Sequence, residues 1–292
     1  MLGQYLIAFR EVLEAALIIT IVMAYLARTG RKSLTRYVWR GVLSAAATSL
    51  ILGFSVWLVY GTLQKSIQAL FEGVAALVAV VVLSSMIYWM ATRGKNLKQE
   101  VEQRVETIAT KGVVLGLGGF AFIAVFREGL ETVLFLTPFL VTDTLATVAG
   151  LFLGIFTALA LAYGIFRAGM KINLRRFFYF TSILLVLLAG GLAGYGVHEL
   201  IEYTGAAPWG LLGQSAYNLN IASDSLFHHK GIIGSVFAVM FGYTIKAEWA
   251  RVMVHLMYVA LVLPLIMRVY MKDRGIKRDR TQFPPAEMVT KI

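Results

Sequence analysis

Two short stretches put charge where the chain is otherwise apolar: AFREVLEAAL at residues 8–17 and AVFREGLETV at 124–133. Each contains Arg-Glu-x-x-Glu, formed by Arg10, Glu11 and Glu14 in the first copy and by Arg127, Glu128 and Glu131 in the second. Glutamates three apart project from one side of a helix, and an arginine four before the second glutamate reaches along the same face. The spacing therefore predicts a guanidinium that compensates one carboxylate and leaves the other available. A charge near the bilayer centre costs roughly 2.5–3.5 kcal/mol on insertion scales, so such a cluster belongs against a bundle interior or a wet cavity. Stability alone is a poor reason for it, because buried ion pairs are often neutral or unfavourable relative to apolar replacements. Four carboxylates against two guanidiniums leave a formal charge of −2, which suits a di- or trivalent cation.

More candidate ligands gather on one side of the expected membrane. Glu72 lies in ALFEGVAAL, and His198, Glu199 and Glu202 lie in GYGVHELIEY, spaced to share a helix face. Asp224, His228 and His229 follow in a loop. Oxygen-rich sites suit hard cations, and added imidazole moves the preference towards iron, manganese or zinc and away from calcium. The chain has no cysteine, which excludes disulfides, a redox pair and thiolate metal sites. His255 reads as a hydrogen-bonded core histidine. Trp57, Trp89 and Trp249 read as interfacial anchors, and the glycines of GVVLGLGGF and LLAGGLAGYG as packing devices that also allow a homo-oligomer.

The elements that must position these residues are membrane helices. Of 292 residues, 59% are hydrophobic and 15% charged, against roughly half apolar and a quarter charged in a soluble domain. Apolar stretches long enough to span run over 2–27, 37–60, 69–92, 112–138, 145–168, 177–201 and 247–270. The fold class is thus an all-α integral membrane protein of seven transmembrane helices. The first stretch lacks the basic start and the small-residue cleavage pattern of a signal peptide. Alternate loops are basic: Arg28 to Arg40, Arg93 to Lys111, Arg167 to Arg176, and the tail from Arg268. This places the N-terminus outside and the C-terminus in the cytoplasm. The net charge of +11 is accordingly a topology signal whose partner is the lipid bilayer, and no nucleic acid is expected.

Spans 1–3 and 4–6 enter from opposite sides, which makes them inverted-topology repeats. The expected single permease domain, 1–271, comprises repeat one (1–92), repeat two (112–202), an outer loop (203–246) and a seventh helix (247–270), followed by a basic cytoplasmic tail (272–292). At 1.5 Å per residue, Glu11 lies about 13 Å from the outer end of its span and Glu128 about 24 Å from the inner end of its own. Both fall near mid-bilayer, where inverted repeats place a transported substrate that rocking can expose to either side. KNLKQEVEQRVET in the third loop reads as a short solvated helix, and IIGSVFAVMFGYTI in the outer loop as a re-entrant or interfacial segment. A retinal protein is excluded because no lysine lies within a span. An intramembrane hydrolase lacks its signatures, since HELIE puts glutamate where the second histidine of HExxH belongs.

The twin motifs REVLE and REGLE resemble those of the high-affinity iron permeases, which include fungal oxidase-coupled and bacterial Efe-type transporters. FEGVAALVAVVVLSSMIYWM, GVHELIE and MFGYTIKAEWARVMVHLMYV resemble the same family, so the likeness covers nearly the whole chain. It implies a multi-pass plasma-membrane protein, not an enzyme, with iron as transported substrate and no prosthetic group. Glu11, Glu14, Glu128 and Glu131 would bind iron in passage, with Arg10 and Arg127 as the motif arginines. Glu72, His198, Glu199 and Glu202 match acidic or histidine positions of the family. AYNLNIASDSLFHHKGIIGS follows the family pattern only loosely around Asp224, His228 and His229. A separate oxidase or extracytoplasmic iron-delivery protein is the implied partner. Ferric and ferrous iron both remain open, as do another divalent cation such as manganese or lead, and a channel in place of a carrier.

Overall fold

The computed structural model describes residues 1–93, 97–110, 114–167, 174–222, 225, 227 and 232–282. Asp224, His228 and His229 lie outside the described residues.

Each apolar stretch expected to span forms a helix. In chain order these are α1 (Leu2–Arg28), α2 (Thr35–Gly61), α3 (Lys65–Arg93), α5 (Val114–Thr142), α6 (Thr144–Arg167), α7 (Leu174–Thr204) and α9 (Trp249–Gln282). Between them lie the shorter α4 (Leu97–Thr110) and α8 (Ile232–Phe241). Among the described residues, α2, α3, α6, α7 and α9 are long and apolar enough to cross a membrane. Helices α1 and α5, at 27 and 29 residues, have the length but carry the motif charges. Hydrocarbon forces backbone polar groups to pair internally, which a helix achieves along its whole length. Several hydroxyls within these helices are satisfied the same way. Thr48, Ser49, Ser55, Ser84 and Thr132 each donate to the carbonyl four residues earlier at 2.6–2.9 Å.

Packing is pairwise. Helix α1 lies mainly along α6, α2 along α5, and α3 along α7, while α9 packs on α7. Small residues permit these approaches. A Cβ on Gly154 of α6 would lie 2.8 Å from Ala8 Cβ and from Phe9 N of α1. At the crossing of α3 and α7, Gly73 and Gly196 meet reciprocally, a Cβ on either falling 3.0 Å from the other's carbonyl oxygen. The largest apolar cluster joins α1, α3, α5, α7 and α9 through Ile7, Leu83, Phe135, Leu185 and Ile266.

Helix α4, expected to be solvated, is solvated on one face only. Val101 and Val105 pack with Val22, Leu26, Val38 and Leu117 at one end of the bundle, and Glu102 accepts an ion pair from Arg28 at 2.5 Å. The valines, four apart, make a stripe whose burial outweighs the polar composition around it.

Among the described residues, the all-helical expectation has one exception. β1 (Ser215–Asn218) and β2 (Lys246–Glu248) form a two-stranded antiparallel ribbon. Gly242, at φ 62°, turns the chain out of α8 in a conformation that favours glycine. The ribbon then leads directly into α9.

Candidate functional site

In α1 the motif folds as one turn of helix. Arg10 Nη1 donates to Glu11 Oε1 at 2.8 Å, and Nη2 lies 2.7 Å from Glu14 Oε1. The expected division, one carboxylate compensated and one available, is not what forms: Arg10 pairs with both. Its fork carries several donors in one plane, so two acceptors one turn apart both fall within reach. A third contact comes from another helix, Nη1 donating to Met86 Sδ of α3 at 2.7 Å. Arg10 is 2% exposed and Glu11 1%, so this ion-pair cluster is almost wholly buried.

The α5 copy is arranged differently. Arg127 Nε donates to Glu131 Oε1 at 2.9 Å, while Glu128 Oε1 stands 3.9 Å away. The Arg127 side chain is 48% exposed, and its guanidinium carbon lies 5.1 Å from the ring centre of Trp89. Trp89, expected as an interfacial anchor, therefore serves a motif residue. Trp57 and Trp249 are exposed at 41% and 49%. One difference between the copies, Gly129 in place of Val12, has a packing cause. Ser49 of α2 lies against Gly129 so closely that a Cβ there would overlap its side chain.

The two helices bring three carboxylates together. Glu11, Glu128 and Glu131 each offer an oxygen within 4.8 Å of the others. Their Oε2 atoms are buried, with no hydrogen-bond partner among the described residues. Buried acceptors without donors are rare because desolvation is uncompensated; a bound cation is the group that such oxygens accept. Glu14 stands beside this cluster, held by Arg10. Glu11 and Glu128 also line a cavity of about 890 Å³, with apolar walls, between the α1–α6 and α2–α5 pairs.

A second group lies at the other end of α3 and α7. Tyr60 donates to Glu72 Oε1 at 2.5 Å, and Tyr195 donates to Glu72 Oε2. His198, Glu199 and Glu202 present ligand atoms within 4.8 Å of one another, and Glu199 interacts with both Glu72 and Tyr195. His198 Nδ1 pairs with Glu248 Oε2 at 3.0 Å. Sequence reasoning missed Glu248, Tyr60, Tyr195 and Met86. Tyr195 precedes Glu199 by one helical turn and was legible in principle. Glu248 reaches His198 only because the ribbon carries it there.

His255 is buried against Gly190 and Gly242 and belongs to neither set of converging ligand atoms.

Comparison with known proteins gives this geometry a context. An uncharacterized protein of Archaeoglobus fulgidus is 43% identical over 271 residues, covering 92% of this chain and 96% of its own. The ferrous iron permease EfeU of Escherichia coli O6:H1 is 35% identical over 274 residues, 90% of this chain and 96% of that protein. The ferrous iron permease EfeU of Yersinia pestis is 34% identical over 278 residues, 94% and 95% of the two chains. No solved structure matches. The profile of the iron permease FTR1 family matches residues 1–269, and the chain belongs to that family.

Proposed function

We propose that this membrane protein imports iron through a mid-membrane site built from Glu11, Glu128 and Glu131, flanked by Glu14. The observation that carries the reading is the convergence of three carboxylates from two helices, each with a buried oxygen that has no donor among the described residues. Arg10 and Arg127 hold the formal charge of the four glutamates at −2, opposite and equal to that of a divalent cargo. Ferrous iron is the form we assign, following the names of the EfeU relatives; an all-oxygen set suits it as a hard-to-borderline cation. Glu72, His198, Glu199 and Glu202 then form an outer station that draws the ion in before it reaches the centre.

The same reading takes α1, α2, α3, α5, α6, α7 and α9 as seven spans in the plasma membrane, N-terminus outside, as one permease domain. Repeat symmetry draws support from the packing. Exchanging α1 with α5, α2 with α6 and α3 with α7 turns the α1–α6 contact into α5–α2 and returns α3–α7 to itself. Rocking of these halves about the central site moves the ion inward. A separate extracytoplasmic iron-delivery protein supplies the substrate, since an oxidase would consume the ferrous form, and the exposed apolar faces of α2 and α6 are open to lipid or to a second copy.

The test is uptake of radioactive iron into proteoliposomes containing the purified chain, with ferrous and ferric supply compared. Wild type accumulates iron and a Glu11→Gln, Glu128→Gln double variant does not. Equal uptake by the two proteins sinks the carboxylate site, and uptake of the ferric form alone reverses the assignment of the cargo.

A further inference from the structure

Helix α3 seats both motif arginines. Met86 and Trp89 are three residues apart and so project to one side of it. Met86 Sδ accepts from Arg10, and the Trp89 ring faces Arg127. The two seats differ in kind. Arg10 meets Glu11, Glu14 and Met86 and is almost wholly buried. Arg127 has one close carboxylate, Glu131, and an aromatic face, with half its side chain exposed.

This asymmetry matters once an ion enters, a step that rests on the carboxylate site proposed above. A cation among Glu11, Glu128 and Glu131 competes with Arg127 for Glu131. Arginine does not lose its proton, so the displaced guanidinium keeps its charge and needs another partner. The face of an indole attracts a cation through its quadrupole, and its carbon surface offers no oxygen or thiolate ligand to hold the metal. We infer that Trp89 is the positioning residue that receives Arg127 when iron takes Glu131. The Arg127–Glu131 pair is thereby exchangeable, while Arg10 stays fixed as the permanent counter-charge.

The experiment replaces Trp89 with a series of mono- to tetrafluorinated tryptophans, which weaken the ring's attraction for cations and nearly preserve its shape. Iron uptake is measured in proteoliposomes. KM for iron rises stepwise with fluorination to about fivefold, the scale of a cation–π contact at a half-exposed site, with Vmax held within about twofold. Trp89→Leu falls at the weak end of the series and Trp89→Phe between it and wild type. A KM that stays flat across the fluorinated series overturns the inference even if Trp89→Leu fails, because shape alone would then account for the residue. So does a loss confined to Vmax. A parallel Glu131→Gln protein separates the two levels. If it transports as wild type does, the carboxylate site itself is wrong; if it is inactive and the fluorinated series is flat, only the role of Trp89 falls.

Discussion

At the residue scale, the two copies of one motif end in different environments, and that difference decides what each substitution does. Arg10→Leu leaves Glu11 and Glu14 buried without their counter-charge. Stripping one partner from a buried pair costs about 3–5 kcal/mol, so the variant shows a large fall in Tm in detergent, whereas Arg127→Leu, from a half-exposed pair, shows a much smaller one. Equal shifts in the two would contradict the burial asymmetry. Carboxylates divide similarly. Glu11→Gln and Glu128→Gln each lower iron uptake at least tenfold, roughly the loss seen when even a supporting group of a metal site is removed. Glu14→Gln, whose oxygen is committed to Arg10, has a smaller effect in the same assay. The motifs and their candidate ligands were legible from spacing. The contact of Arg10 with Met86 was not, because it depends on which face of α3 packs against α1.

Elements position these residues through close helix contacts. Gly129 lies against Ser49 of α2 next to Glu128, so Gly129→Val pushes α2 from α5 at the level of the site. Overpacking of this kind costs typically about 1–3 kcal/mol, and the check is a lowered Tm together with reduced uptake; an unperturbed Gly129→Val protein would show that α2 yields freely there. Helix α4 is held by its two valines more than by its exposed ion pair. Arg28→Ala changes stability by no more than about 1 kcal/mol, the usual worth of a surface pair, while Val101→Asp, which puts a charge into the cluster with Leu26 and Leu117, detaches the helix and exposes it to limited proteolysis. Hydrophobic runs located every long helix. The ribbon of β1 and β2 escaped notice because four and three residues are too few to carry a pattern of alternation.

For the whole molecule, the basic loops alternate, and the positive-inside rule turns that alternation into an orientation. The absence of cysteine makes a direct check simple. Single Gln64→Cys and Gln103→Cys substitutions lie on opposite sides of the proposed topology, between α2 and α3 and within α4. An impermeant maleimide added to intact cells labels the Gln64→Cys protein and spares the Gln103→Cys protein until the membrane is opened. The reverse pattern inverts the molecule, and labelling of both in intact cells removes the assignment of α4 to the cytoplasm. The proposed repeat symmetry is, at this scale, a matter of which helices touch, and it would bring two motifs of opposite entry direction to one depth.

By itself the sequence determined that this is a helical membrane protein and which charges lie within its apolar spans. Both follow from local chemistry: hydrocarbon demands long apolar helices, and charges within them stand out against that background. Tertiary structure alone decided that Glu11 joins Glu128 and Glu131, that Glu248 meets His198, and that Trp89 faces Arg127. Each of these depends on the separation and rotation of helices far apart in the chain. Small residues such as Gly129, Gly154 and the Gly73–Gly196 pair set those distances, and no one-dimensional spacing records which helix a glycine will meet.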